Sequence, residues 1–199
     1  MSTQEHRAYS VQEYLDIERT RADRHEYIAG AVYAMAGGSE QHNLIVGNVY
    51  ASLHAQLRRR QCTVYPSDMR VRIPQIPRYT YPDISVVCGT AEFEDSRRDT
   101  LLNPTVIFEV LSPSTEKHDR GTKFKHYWSL PSIHEYILIA QETYRLERFA
   151  RHPDEPQIYL FNVYIDPKNQ VSLSAIDCTL LLADIYEKVV FKDDPVAPA

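Results

Sequence analysis

The chain opens with a helical period. Val11, Tyr14, Leu15 and Glu18 share a face, Ser10 stands at the N-cap position, and Glu13 completes a capping box, which predicts a helix from Val11 to about Arg19. Two strand-like runs follow, His25 to Ile28 and Ala31 to Met35, with a turn at Ala29-Gly30. Gly37-Gly38-Ser39 then breaks the chain and caps a long helix, from about Glu40 to Arg59. Leu44, Ile45, Val49, Leu53 and Leu57 recur along it at helical spacing. The run Arg58-Arg59-Arg60 places cations at the negative end of that helix, which explains it without nucleic acid.

From Cys62 the period changes to two. Cys62 to Tyr65 and Met69 to Ile73 alternate as half-buried strands do, and Pro74 and Pro77 bound a loop. Ile84 to Val87 and Val106 to Leu111 are short apolar strands. A helix starts at Ser112-Pro113-Ser114-Thr115, runs to about Trp128 and stops at Pro131-Ser132. Glu135 to Ala140 reads as a strand buried on both faces. Tyr144 to Phe149 and Ile158 to Val163 look like antiparallel strands, Asp166 to Asn169 like a turn, and Leu182 to Val189 like a final short helix. This order lacks regular β-α alternation. The expected class is α/β of an α+β-like kind, a mixed central β-sheet flanked by helices. One domain over residues 1–192 and a loose tail over 193–199 are expected.

Composition narrows the function. The chain has 199 residues and a formal net charge of -5, so it does not coat nucleic acid by bulk charge, although a local basic groove remains open. The sequence offers neither a long apolar span nor a secretory signal, so no membrane and a cytoplasmic address are the expectations. Cys62, Cys88 and Cys178 are odd in number and widely spaced, and are read as reduced thiols. Fourteen tyrosines carry a weak expectation of a homodimer.

Three residues break their local pattern. Asp83 stands at the entry of an apolar strand, directly after Pro82. Glu109 sits inside Val106-Ile107-Phe108-Glu109-Val110-Leu111, where an unpaired charge would cost several kcal/mol. Lys123 shares a helix stripe with residues 120, 124 and 127, turned toward the sheet, while Lys125 points away. Each has a structural reading: a turn cap for Asp83, a salt bridge for Glu109, a snorkelling side chain for Lys123. Together they suit Mg²⁺, which binds few carboxylates, keeps waters and acts on phosphates. A lysine there would orient the water or neutralise developing charge.

Tyr81-Pro82-Asp83, Phe108 to Thr115 and Asp119 to Tyr127 resemble the hallmark blocks of the Uma-type restriction endonuclease family, within the PD-(D/E)XK nuclease superfamily. Glu26 to Gly30, His42, Asp68 to Ile73 and Glu135 to Ile139 are similar to further segments of that family. The resemblance runs from the first helix to about Phe149 and implies a four-stranded mixed core flanked by helices, with extra N-terminal strands. It implies an endonuclease that hydrolyses DNA phosphodiester bonds with metal-activated water, using Mg²⁺ or Mn²⁺. Asp83 and Glu109 would hold the metal with the Val110 backbone carbonyl, and Lys123 would act in catalysis. Where an E-x-K motif would put lysine, this chain has Leu111, and Lys123 takes that part from the next helix. Glu26 would add a carboxylate to the site, and His42 would touch a metal water or phosphate; a plain hydrogen-bonding histidine is the other reading. Asp119, four residues before Lys123, reads as its helix ion-pair partner. Arg19 to Arg24, Arg58 to Arg60, Arg70 with Arg72, and Lys117 to Lys125 are the segments expected on the DNA backbone. A catalytically silent nucleic-acid-binding or self-assembling module of the same fold, or another metal-dependent hydrolase, would keep the same residues.

Overall fold

A computed structural model describes residues 7–35, 37–113 and 115–191; the proposed tail lies outside them. Helix α1 (Val11–Glu18) begins with the expected capping box, Ser10 and Glu13 each serving the other's backbone N–H. Strands β1 (His25–Ile28) and β2 (Ala31–Ala34) form the expected hairpin. Ala29 and Gly30 make its turn at φ of 46° and 98°, a left-handed conformation that glycine adopts without strain. Ser39 caps α2 (Glu40–Leu57) by accepting the His42 N–H, which fixes His42 in the first turn.

The central sheet has six strands. They are β3 (Cys62–Pro66), β6 (Ile84–Cys88), β8 (Val106–Leu111), β9 (Glu135–Ala140), β10 (Leu146–Arg151) and β11 (Tyr159–Tyr164), in the order β11-β10-β9-β8-β6-β3. Only β8 and β9 run parallel, and the connection between them carries the Lys123 helix. Strand β8 is buried on both faces. Val106, Phe108 and Val110 join the core under α2, with Ile45, Val49, Leu53 and Leu57. Ile107 and Leu111 join the opposite core, with Tyr127 and Tyr136. Glu109 alternates onto that second face.

The expected strand at Met69 to Ile73 and the short helix from Leu182 are present, and the structure adds further strands around them. Strands β4 (Arg70–Ile73), β5 (Arg78–Thr80) and β7 (Thr100–Leu101) join the first hairpin in a second sheet, ordered β2-β1-β5-β4-β7. A third pair, β12 (Gln170–Leu173) and β13 (Cys178–Leu181), packs Val171, Leu173 and Leu180 onto the α2 core, and α5 (Leu182–Ile185) follows it. The expected single helix to Trp128 is in three parts: α3 (Glu116–His118), a wider π turn (Asp119–Lys123) and α4 (Phe124–Trp128). Such turns are rare and cluster at functional sites.

Two expectations are corrected. Cys62 and Cys88 are disulfide-bonded rather than reduced, because they are register partners on the neighbouring antiparallel strands β3 and β6; Cys178 is a free, buried thiol. Arg70 cannot lie on a DNA backbone. It is 3% exposed and spends its guanidinium on Asp99, Thr100 and Tyr81. Arg19 is likewise tied to Asp95 and Asp99, and Arg72 to Glu94. Among the basic segments, Arg21, Arg58, Arg59, Arg60, Lys117 and Lys125 stay exposed, Arg60 paired with Asp177.

The Arg19–Asp99–Arg70 cluster makes an acid-sensitive clamp between α1 and the second sheet. Burial opposes ionisation of Asp99, but the Arg19 hydrogen bond, Arg70 and the Thr100 hydroxyl outweigh it and hold its pKa at about 2. A depressed carboxyl contributes stability above its unfolded pKa, and that stability is lost as pH falls through the folded value. Thermal unfolding followed from pH 4 to pH 2 is therefore expected to show a falling Tm, and Asp99→Asn a shallower fall. Parallel curves for the two proteins would contradict this.

Candidate active site

The register of β6 against β8 decides how the carboxylates meet. Ile84 faces Phe108 in the last pair of that ladder, so Asp83, the residue just before β6, arrives beside the stretch of β8 that carries Glu109 and Val110. Both acids line one cavity, and the Asp83 charge reaches Glu109. Like charges brought together in one cavity repel, so the two acids call for a cation. Pro82, just before Asp83, has no N–H to extend the ladder. The Val110 N–H instead donates to Asp83 Oδ2 at 2.6 Å, pinning the aspartate against β8.

Lys123 answers the negative charge from the π turn. Its Nζ lies 2.8 Å from Glu109 Oε1, 3.5 Å from Glu26 Oε1 and 3.6 Å from Asp119 Oδ1, and the residue is 6% exposed. Burial alone would pull its pKa down; Glu109, Glu26 and Asp119 outweigh that and hold it well above the ordinary value. Burial drives the Glu109 pKa well up, with Lys123 opposing and Asp119 and Asp83 reinforcing. His42 Nε2 sits 3.0 Å from Asp83 Oδ1. Burial disfavours its charge, but Asp83 prevails and the His42 pKa rises. Asp83, Glu109, Lys123, Glu26, His42 and Val110 all line one cavity of about 470 Å³.

Glu26 is less free than a metal ligand would be. Thr80 donates to its Oε1, Arg78 Nη2 donates to Oε2 at 3.0 Å, and Lys123 completes the set. Its place is behind the lysine, joining it to Arg78. Arg78 is fully buried and was not singled out in the sequence, because it lies just after Pro77, in what reads as a loop. It also donates to His126 Nδ1 and His118 Nε2, both at 2.9 Å. Arginine only donates, so those ring nitrogens carry no proton. Burial and then the Arg78 charge lower the pKa of both histidines, consistent with neutral rings. His118 and Asp119 also line the cavity, so Asp119 is both the expected ion-pair partner and part of the site.

The donor set suits a hard cation that keeps much of its water. Two carboxylates share the cavity, and Glu109 Oε1 receives no aligned hydrogen bond beyond its ion pair. Among the described residues, no group of three or more His, Cys, Asp or Glu is arranged to hold a metal, so a cage of side chains is not what the chain offers.

Residues 11–180 match the family described as "Uma2: Putative restriction endonuclease". The chain belongs to the Uma2 restriction endonuclease family. "Uncharacterized protein slr1290" of Synechocystis sp. is 30% identical over 182 residues, 92% of this chain and 93% of its own. "Uncharacterized protein sll1609" of the same organism is 35% identical over 142 residues, 71% and 80% of the two chains. The crystal structure of "a putative nuclease belonging to DUF820" from Anabaena variabilis superposes with a TM-score of 0.75 at 17% identity, covering 92% of this chain and 99% of that one. That likeness shows the nuclease fold, a mixed sheet flanked by helices as the sequence implied. Among the described residues no helix is long and apolar enough to cross a membrane.

Proposed function

We propose that this Uma2-family chain is a divalent-metal-dependent endonuclease that hydrolyses DNA phosphodiester bonds. The observation that carries the reading is the convergence of Asp83 and Glu109 on one cavity, with the Lys123 ammonium 2.8 Å from Glu109. Asp83, Glu109 and the Val110 carbonyl would hold Mg²⁺ or Mn²⁺; a strand residue carries its N–H and C=O on the same edge, and the Val110 N–H already meets Asp83. Such an ion, when bound, polarises a phosphoryl oxygen and makes hydroxide available near neutral pH.

The rest is done by the chain. Lys123 brings positive charge to where the phosphate gains negative charge, in a buried setting that needs no reorganisation. Asp119 and Glu26 hold its Nζ in place, and Arg78 holds Glu26. His42 and the Val110 N–H fix the Asp83 carboxylate. Tyr33, 54% exposed on β2, gives the cavity rim an aromatic face against which a base can stack.

The test is a cleavage assay on supercoiled, linear and single-stranded DNA with Mg²⁺, Mn²⁺ or chelator. Metal-dependent cutting is expected. Lys123→Met is expected to lower kcat while titration calorimetry still detects metal binding. The other reading is a catalytically silent DNA-binding module of the same fold. Binding of DNA with no cutting under any metal would establish that reading instead.

A further inference from the structure

Strand β11 is the outer edge of the central sheet, paired only with β10 among the described strands. Natural proteins blunt such edges with charge, proline, bulges or a covering segment. Here residues 156–165 read PQIYLFNVYI, without a charge and with no proline after Pro156. Of the six strands in the sheet, β11 alone has no buried residue. Tyr159, Leu160, Phe161 and Val163 are 45%, 48%, 50% and 40% exposed, and Ile158 and Ile165 extend the strip at 43% and 63%.

Neither face of the strand is covered, yet one face continues an internal layer. The register places Phe161 opposite Phe149, with ring centroids 4.7 Å apart. Tyr159 meets Phe124 and Trp128, each at 5.5 Å. An aromatic layer built on α4 and β10 thus runs outward and ends at the surface.

We propose that β11 is a dimerisation strand. A second copy of this chain lays its own β11 antiparallel alongside, across a two-fold axis, and the two central sheets join into one. A two-fold interface must be complementary to itself. An uncharged strand meets that demand, because no like charges face one another and aromatic and β-branched residues pair favourably across strands. A partner of different chemistry is steered and selected by complementary charge, and this strip has none to offer. The six half-exposed side chains amount to roughly 500 Å² per copy, at about 150–250 Å² for a large side chain. Edge pairing covers part of that area on each copy, and the main-chain pairing along β11 adds the rest of the contact toward the roughly 1,000 Å² of a specific interface. The inference is independent of the nuclease reading.

Light scattering and sedimentation test it. The wild type is expected at twice the 23.1 kDa chain mass. Phe161→Lys and Leu160→Lys, which put a charge on either face, are each expected to halve the mass with far-UV circular dichroism unchanged. Hydrogen exchange on the wild type reads the same contact without substitution: amides of Tyr159–Tyr164 should exchange more slowly as protein concentration rises. A wild type that stays monomeric up to its highest soluble concentration overturns the proposal. So does a dimer whose mass both lysine variants preserve, or exchange in β11 that ignores concentration.

Discussion

Glu109→Ala is expected to lower DNA cleavage by at least about 10³-fold, because losing a metal's charge stabilisation removes several kcal/mol from the transition state and each 1.36 kcal/mol is tenfold. Asp83→Asn is expected to cost as much. It removes the charge while keeping an acceptor for the Val110 N–H at 2.6 Å, so β6 and β8 stay paired. The fold should tolerate both changes. Glu109 is 3% exposed and its pKa is driven up by burial, with Lys123 opposing and two further acids reinforcing, so the folded chain holds its charge at a cost. Without Glu109, Lys123 retains Glu26 at 3.5 Å and Asp119 at 3.6 Å. Tm is therefore expected to stay within about 3 °C of wild type or to rise, as when a functional site trades stability for activity. Cleavage and thermal unfolding are measured on the same preparations. Variants that cut within tenfold of wild type would remove these acids from the chemistry.

Arg78→Met is expected to act in the opposite way, striking the fold first. Arg78 is fully buried and holds Glu26, His118 and His126 together. Removing one partner of a buried pair leaves an uncompensated charge and costs about 3–5 kcal/mol. For a domain of this size that lowers Tm by roughly 10 °C or more. Glu26 would then keep Thr80 and Lys123 but lose its guanidinium, so the anchoring of Lys123 loosens and activity should fall in the surviving folded protein. A cycle with Glu26→Gln separates the causes. If the penalty comes from the stranded carboxylate, the double variant recovers most of the lost stability. A single Arg78→Met variant that melts with the wild type would show that the network contributes nothing.

Asp83, Glu109 and Lys123 could be picked out of the sequence for one reason. Each places a charge where the hydrophobic period calls for an apolar side chain, and the structure puts all three in one cavity. Arg78 gave no such signal. Its strand is three residues long and begins just after Pro77, too short for a period to register. The Cys62–Cys88 bond was hidden by the separation of 26 residues, since spacing says nothing about which strands become neighbours. Arg70 and Arg19 read as free cations because their acidic partners lie well away along the chain.

The sequence by itself determined the local elements: the Ser10 cap, the first hairpin, the long helix and the strands carrying Asp83 and Glu109. Propensity, capping and periodicity act over a few residues, so they are written in a few residues. Tertiary structure alone decided that Asp83 and Glu109 share a cavity, that Lys123 is anchored by Glu26 and, through it, Arg78, and that β11 is left open at the edge. Those facts rest on strand order and register, which are set by the packing of both sheet faces at once, and no stretch of chain contains both partners of such a contact.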